Sequence, residues 1–163
     1  AIRLHFYGKP GLPSLPVFGL GFKLPVRDGR FSWYGRGPWE NYPDRKAGSL
    51  LGRYESSAWE SMAKYLVPQE CGTHMDTGWL VVEGLRFEAL DRPFAFSVLP
   101  YSAMELENAA HGNELPEDAY TFVTIAGAVR GVGGDDSWGA PVHDEYLIPS
   151  DKPLSFPSVL RAI

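Results

Sequence analysis

Cys71 is the only cysteine in the chain, so no internal disulfide can form and the fold must stand on its apolar core. A lone thiol suits a reducing compartment, and a cytoplasmic location is the expectation. No apolar run approaches the ~20 residues that a membrane-spanning helix needs. No charged-then-apolar signal pattern opens the sequence either, so no membrane partner is expected. Basic residues are in deficit: 15 Lys and Arg against 20 Asp and Glu leave a formal net charge of −5. An acidic chain with scattered cations has no electrostatic footprint for a phosphate backbone, which argues against nucleic acid as a partner. Internal repeats and linker-like tracts are absent too, so residues 1–163 read as a single domain with enough chain for a real core. The opening AIRLHFYG lacks an initiator methionine and enters strand-like patterning at once. The chain is therefore expected to be a piece of something longer.

Breakers and aromatics are plentiful. Glycine (18) and proline (14) make up about a fifth of 163 residues, against roughly 12% in an average chain. Spread along the sequence, they interrupt long helices and favour many short elements. The 13% of aromatic residues suits pleated, half-buried surfaces. Alternation begins with Ile2, Leu4 and Phe6 and continues with Phe18, Leu20, Phe22 and Leu24. Further strand-like runs lie at 31–34, 50–54, 79–83, 85–89, 94–99, 120–125, 145–148 and 155–163. Asp28-Gly29 has hairpin-turn chemistry between the second and third runs. One short helix is expected at Ala103–Ala110, where Ser102 and Glu105 have capping-box spacing, ending near Gly112. The class is all-β, and regularly spaced strands point to an antiparallel sandwich.

Two stretches break the strand pattern, GRGPWENYPDRKA from Gly35 and GVGGDDSWGAP from Gly131. Each is a turn-rich loop that carries a tryptophan. In the second, Gly131, Gly133 and Gly134 allow positive φ, while Asp135, Asp136 and Ser137 can bind local backbone N–H groups. Composition leaves two readings of Trp138 open. Its ring packs inward as a plug, or it offers a flat face to the C–H patch of a sugar with carboxylates beside it for the hydroxyls. In the first loop, Arg36 and Arg45 can pair with Glu40 and Asp44, which reads as a charge-stitched ordered loop. Glu40 and Glu70 form a poor case for a glycosidase carboxylate pair, since nothing in a sequence sets the ~5–5.5 Å separation that retention requires. Cys71 and His74 offer two metal ligands where a structural zinc site needs four, so no metal is expected. The glycines of the second loop do not make a phosphate-binding fingerprint, and no GxSxG nucleophile elbow occurs.

Trp33–Arg45 (WYGRGPWENYPDR), Pro68–Asp76 (PQECGTHMD) and Gly131–Gly139 (GVGGDDSWG) resemble the C-terminal domain of bacterial β-galactosidases of glycoside hydrolase family two. GLGFKLP near Gly19 and YSAMELENAAHGNELP from Tyr101 extend the likeness, which runs from about Pro16 to Ile163. The resemblance implies a large antiparallel sandwich, a supersandwich of the galactose mutarotase kind, following a catalytic TIM barrel. It places the nucleophile and acid/base glutamates in that barrel, so no catalytic residue is expected here. It assigns carbohydrate binding to Trp138, with Gly133, Gly134, Asp135 and Asp136 shaping its loop. Implied partners are a galactoside such as lactose, the upstream domains of the parent chain, and further copies in a homo-oligomer. The family's magnesium and sodium ions belong mainly to the barrel, so no cofactor is expected in this domain. Two departures stand out: Cys71 where asparagine is usual, and Trp39 where histidine or glutamine is common.

Two rival readings remain at this level. A stand-alone carbohydrate-binding module would share the aromatic platform without a partner domain. A mutarotase-like epimerase would need a histidine and a carboxylate on one pocket, with His111 and Glu114, or His143 with Asp144 or Glu145, as candidates.

Overall fold

A computed structural model describes residues 1–163. Ten strands form two antiparallel sheets. The larger sheet orders β1 (Ile2–Phe6), β10 (Leu154–Ala162), β7 (Leu85–Ala89), β6 (Trp79–Val82), β3 (Arg30–Gly37) and β4 (Leu50–Ser57) side by side. The smaller orders β2 (Val17–Leu24), β9 (Thr121–Val129), β8 (Phe94–Leu99) and β5 (His74–Thr77). The all-β sandwich expected from the strand pattern is what the chain builds. No helix is long and apolar enough to cross a membrane.

The core lies between the sheets. Phe31 and Trp33 of β3, Leu80 and Val82 of β6 and Phe87 of β7 face Phe96 and Val98 of β8 and Val123 and Ile125 of β9. These positions alternate along each strand, because a period of two sends every second side chain inward. Trp33 sits at the centre, 5.3 Å from Phe31, 5.6 Å from Phe96 and 4.4 Å from the His74 ring. A smaller cluster of Cys71, Leu99, Tyr101 and Leu106 packs beneath the helix.

That helix, α2 (Ala103–Asn108), carries the expected capping box. The Ser102 hydroxyl accepts from the Glu105 N–H while the Glu105 carboxylate accepts from the Ser102 N–H at 2.8 Å. It ends at Asn108, short of Gly112, and it is not alone. A single turn, α1 (Ala58–Ser61), follows β4, with the Ser57 hydroxyl as its N-cap. The expectation of one helix is corrected to two, since four residues are too few to show helical periodicity in sequence.

Two other expectations change, and one strand was not expected. Asp28-Gly29 is not a hairpin turn: β2 pairs with β9, whereas β3 pairs with β4 and β6 in the other sheet. Asp28 does take a left-handed conformation, at φ +52°, but its carboxylate accepts the Trp59 N–H. Gly29 donates to the Thr121 hydroxyl at 2.7 Å, and that hydroxyl donates to the Val26 carbonyl. The dipeptide is a pinned corner between sheets. The run at 145–148 forms a 3-10 turn, Asp144–Tyr146, with one isolated bridge from Ile148 to Leu15. Strand β5 was not legible, because HMDT lacks apolar alternation.

One side of the sandwich is closed. The chain passes from β5 to β6 through Thr77 and Gly78, and Gly78 donates to the Tyr34 carbonyl of β3 at 2.8 Å. Strand β5 lies against β3 so closely that a Cβ on Gly35 would come 2.8 Å from the Thr77 hydroxyl. On the other side the chain crosses from β1 to β2 through residues 7–16, held by N–H bonds from Lys9 and Leu15 to the Ser150 and Ile148 carbonyls, and β1 and β2 do not pair with each other.

Candidate carbohydrate-facing rim

The loop after β9 is anchored before it projects. Gly131 donates to the Tyr146 carbonyl at 2.9 Å. A Cβ there would lie 2.5 Å from Asp44 Oδ2, so the position demands glycine. The same Asp44 oxygen accepts the Gly133 N–H at 2.7 Å. Gly133 and Gly134 turn the chain through left-handed conformations at φ +68° and +95°. Asp136 Oδ1 then accepts the N–H groups of Trp138 (2.9 Å) and Ala140 (3.1 Å), which fixes the tip. Those N–H donors, Ala140 first, hold the Asp136 carboxyl below the usual carboxylate range. Across the base of the loop His143 Nε2 pairs with the Asp135 carboxylate. That hydrogen bond, with the Asp135 charge, raises the imidazole above its ordinary value.

Held this way, Trp138 is 93% exposed. The inward-packed reading of its ring is excluded. A rigid turn presents the indole to its surroundings, although an exposed aromatic of this size loses apolar contact unless something covers it.

The loop after β3 is the second element of the rim. Its first residues, Gly35–Gly37, belong to β3 and not to a loop. Asn41 is fully buried and accounts for most of its shape. It donates from its backbone to the Thr73 carbonyl (2.7 Å) and from Nδ2 to the Trp39 carbonyl (3.0 Å), and its Oδ1 accepts the Met75 N–H (2.8 Å). Tyr42 and Arg45 exchange backbone bonds to close a tight turn. Of the charge pairs expected here, Arg45 approaches Glu40 at 3.9 Å. Arg36 pairs instead with Asp76, at 2.5 Å, and donates to the Ser49 carbonyl. Glu40 takes the Tyr65 hydroxyl at 2.5 Å and the Gly72 N–H at 2.7 Å, tying in the third rim segment, residues 62–73. Glu70 accepts from the Tyr42 and Thr73 hydroxyls. Both carboxylates are thus occupied in holding loops.

Sequence reasoning missed two residues. Asp44 is the joint between the Trp39 loop and the Trp138 loop, a pairing across 89 residues that no local pattern announces. Trp39 is 80% exposed on a loop fixed from beneath by Asn41. Its signals in sequence were a tryptophan in a turn-rich loop and its departure from the family pattern.

The remaining candidates are placed apart from the rim's exposed face. Burial pushes the Cys71 thiol up to about 11, which leaves it unreactive near neutral pH. His74 is buried between Trp33 and Phe96, and burial lowers its imidazole to about 4. No three His, Cys, Asp or Glu side chains converge as a metal-ligand set. His111 and Glu114 meet at 2.9 Å on the open surface, whereas the hydrogen bond of His143 goes to Asp135.

A family model described as "Beta galactosidase small chain" matches residues 1–160. The beta-galactosidase small subunit of Latilactobacillus sakei is 45% identical over 170 residues, covering 95% of this chain and 53% of that protein. The beta-galactosidase of Streptococcus thermophilus is 45% identical over 154 residues, 91% of this chain and 15% of that enzyme. Beta-galactosidase BgaC of Bifidobacterium adolescentis is 44% identical over 151 residues, 88% of this chain and 14% of its own length. The chain therefore spans about half of the small subunit it matches and a small part of the longer relatives.

Proposed function

The chain belongs to the β-galactosidase small-chain family, and from that premise we propose that it is the part of a β-galactosidase that finishes the substrate pocket with an aromatic platform. The parent hydrolyses terminal β-D-galactosides such as lactose, with retention, through two glutamates in a separate catalytic domain. This domain supplies Trp138, whose indole covers the C–H face of the sugar while Asp135 and Asp136 hold the loop in position.

The observation that carries this reading is the investment of fixed backbone in an exposed ring. Asp44, Asp136 and the His143–Asp135 pair hold the loop, yet Trp138 is the least covered of the large apolar side chains. Covering ~100 Å² of ring and sugar is worth roughly 2–3 kcal/mol at about 25 cal/mol per Å².

In steady-state hydrolysis of a chromogenic β-galactoside by the full-length parent, Trp138→Ala should lower kcat/KM about 30- to 150-fold, the kinetic equivalent of that energy. Trp138→Phe should keep part of the activity. A folded Trp138→Ala parent with unchanged kcat/KM would remove the ring from the pocket.

The rival binding-module reading is weakened by the rim itself. Trp39, Leu50, Leu66 and Val67 are exposed on segments tied to the same loops, and several large apolar groups together mark a surface that another domain covers. That fits a domain working against a catalytic partner.

A further inference from the structure

We propose that His143 is a positioning residue for Trp138: as an imidazolium ion it latches the tip of the loop to its base through Asp135, so the parent takes its galactoside best with this histidine protonated. The inference rests on the platform reading above and adds a control to it.

The loop divides into a fixed base and a self-contained tip. The base is bonded to the sandwich. Gly131 donates to the Tyr146 carbonyl (2.9 Å), Tyr146 donates to the His143 carbonyl (2.9 Å), and Gly133 donates to Asp44 Oδ2 (2.7 Å). His143 therefore leads into the 3-10 turn Asp144–Tyr146 and shares its footing. The tip, residues 134–142, is tied within itself by Asp136 Oδ1, which accepts the Trp138 and Ala140 N–H groups. Those bonds give the tip a shape but leave its direction open.

The joints of the tip are glycines with room around them. Gly134 and Gly139 take φ +95° and +87°, and a Cβ on either would meet nothing within 4 Å. Such positions leave the backbone free to swing, and residues 134–139 are all exposed. One hydrogen bond joins the tip to the base, that between the Asp135 carboxylate and His143 Nε2. Asp135 stands three residues before Trp138, in the stretch that Asp136 already rigidifies. Whatever holds Asp135 therefore aims the indole.

The surroundings of His143 make the latch depend on charge. Asp135 faces the ring from the tip, Asp44 from the loop after β3, and Glu145 from its own 3-10 turn, all of them carboxylates that favour the charged ring. The imidazole is raised accordingly, first by the hydrogen bond to Asp135 and then by its charge. A charged ring donates a stronger bond to a carboxylate than a neutral one does. The latch is thus complete below the ordinary value of 6.5 and weakens as pH rises through the raised one.

Steady-state hydrolysis of a chromogenic β-galactoside by the full-length parent, measured across pH, tests the latch. Dividing each variant's kcat/KM by that of the wild type cancels the ionisations of the catalytic domain. His143→Gln, a neutral donor at every pH, should cost about 2- to 5-fold at about pH 6, the scale on which an exposed charge pair shifts a local equilibrium. The loss should disappear once the wild-type ring is neutral. His143→Arg, a permanent cation, should match the wild type in acid and exceed it in alkali. On a Trp138→Ala background neither change should register. A His143→Gln loss that is equal at every pH, that persists without the indole, or that never arises would overturn the latch and leave the platform standing. A Trp138→Ala parent with unchanged kcat/KM would remove the platform, and the latch with it.

Discussion

The two lateral sides of the sandwich start from similar side chains and reach different ends. On the β3–β5 side, Phe31, Trp33 and Phe96 are almost completely buried, because β5 folds onto β3 and Gly78 straps the crossing to Tyr34. On the β1–β2 side, phenylalanines and leucines with the same alternation stay half-wet. Alternation aims a side chain at the core, but only a covering neighbour removes it from water. Since the stabilisation follows the apolar area buried, each aromatic of the closed side contributes more than a half-wet counterpart on β1 or β2.

The largest effect is expected at the centre of the closed side. Trp33→Ala should cost about 3–5 kcal/mol, as large aromatic truncations in packed cores do. It would appear as a lower denaturant midpoint for the transition that includes this domain. A cost under 1 kcal/mol would mean that the aromatic cluster around His74 is not the stability centre.

Leu20→Ala sharpens the comparison from the other side. If further chain covers the β1–β2 side in the parent, Leu20 sits in a full core and its truncation should cost about 2–4 kcal/mol. If the β1–β2 side stays open in the parent, the same change would be nearly silent in the unfolding midpoint.

Acid separates the two sides further. His74 is buried on the closed side, with its folded-state value lowered from 6.5 to about 4 by burial. Above pH 6.5 the ring is neutral in both states and costs nothing. As pH falls from 6.5 towards 4 the unfolded chain takes up a proton that the folded one refuses, so stability is lost across that window. His74→Phe should flatten this part of the curve of midpoint against pH. An unchanged slope would place the titrating group elsewhere.

The smallest effect belongs to the rim. His143 has its value raised by Asp135. Its contribution to loop order is fully present below the unfolded value near 6.5 and fades as pH rises through the raised folded value. Amide exchange of residues 133–140 in the parent should speed up over that rise, and His143→Gln should remove the dependence. The pair lies on the exposed surface, so the change should be confined to the loop.

Much of the architecture was legible locally. The 2-4-6 alternation of β1, the 18–24 alternation of β2 and the Ser102/Glu105 capping box all took the form their spacing implied. Local chemistry misled at Asp28-Gly29, because the left-handed turn it favours serves a hairpin and a sheet-to-sheet corner equally well. The choice lay with Thr121, 92 residues away. The rim was half legible. The turn-forming residues around Trp138 could be read as a rigid loop, but its anchor Asp44 and the true partner of Arg36, Asp76, are distant in sequence.

Composition and periodicity alone determined that this is an all-β sandwich with an aromatic core and turn-rich loops, because these depend on spacing between near neighbours. The resemblance carried by Trp33–Arg45 and Gly131–Gly139 determined the family. Tertiary structure decided which strands share a sheet, which side of the sandwich is closed, and that Trp138 faces outward. Each of those outcomes rests on contacts between residues far apart in the chain, whose geometry exists only once the sheets have packed.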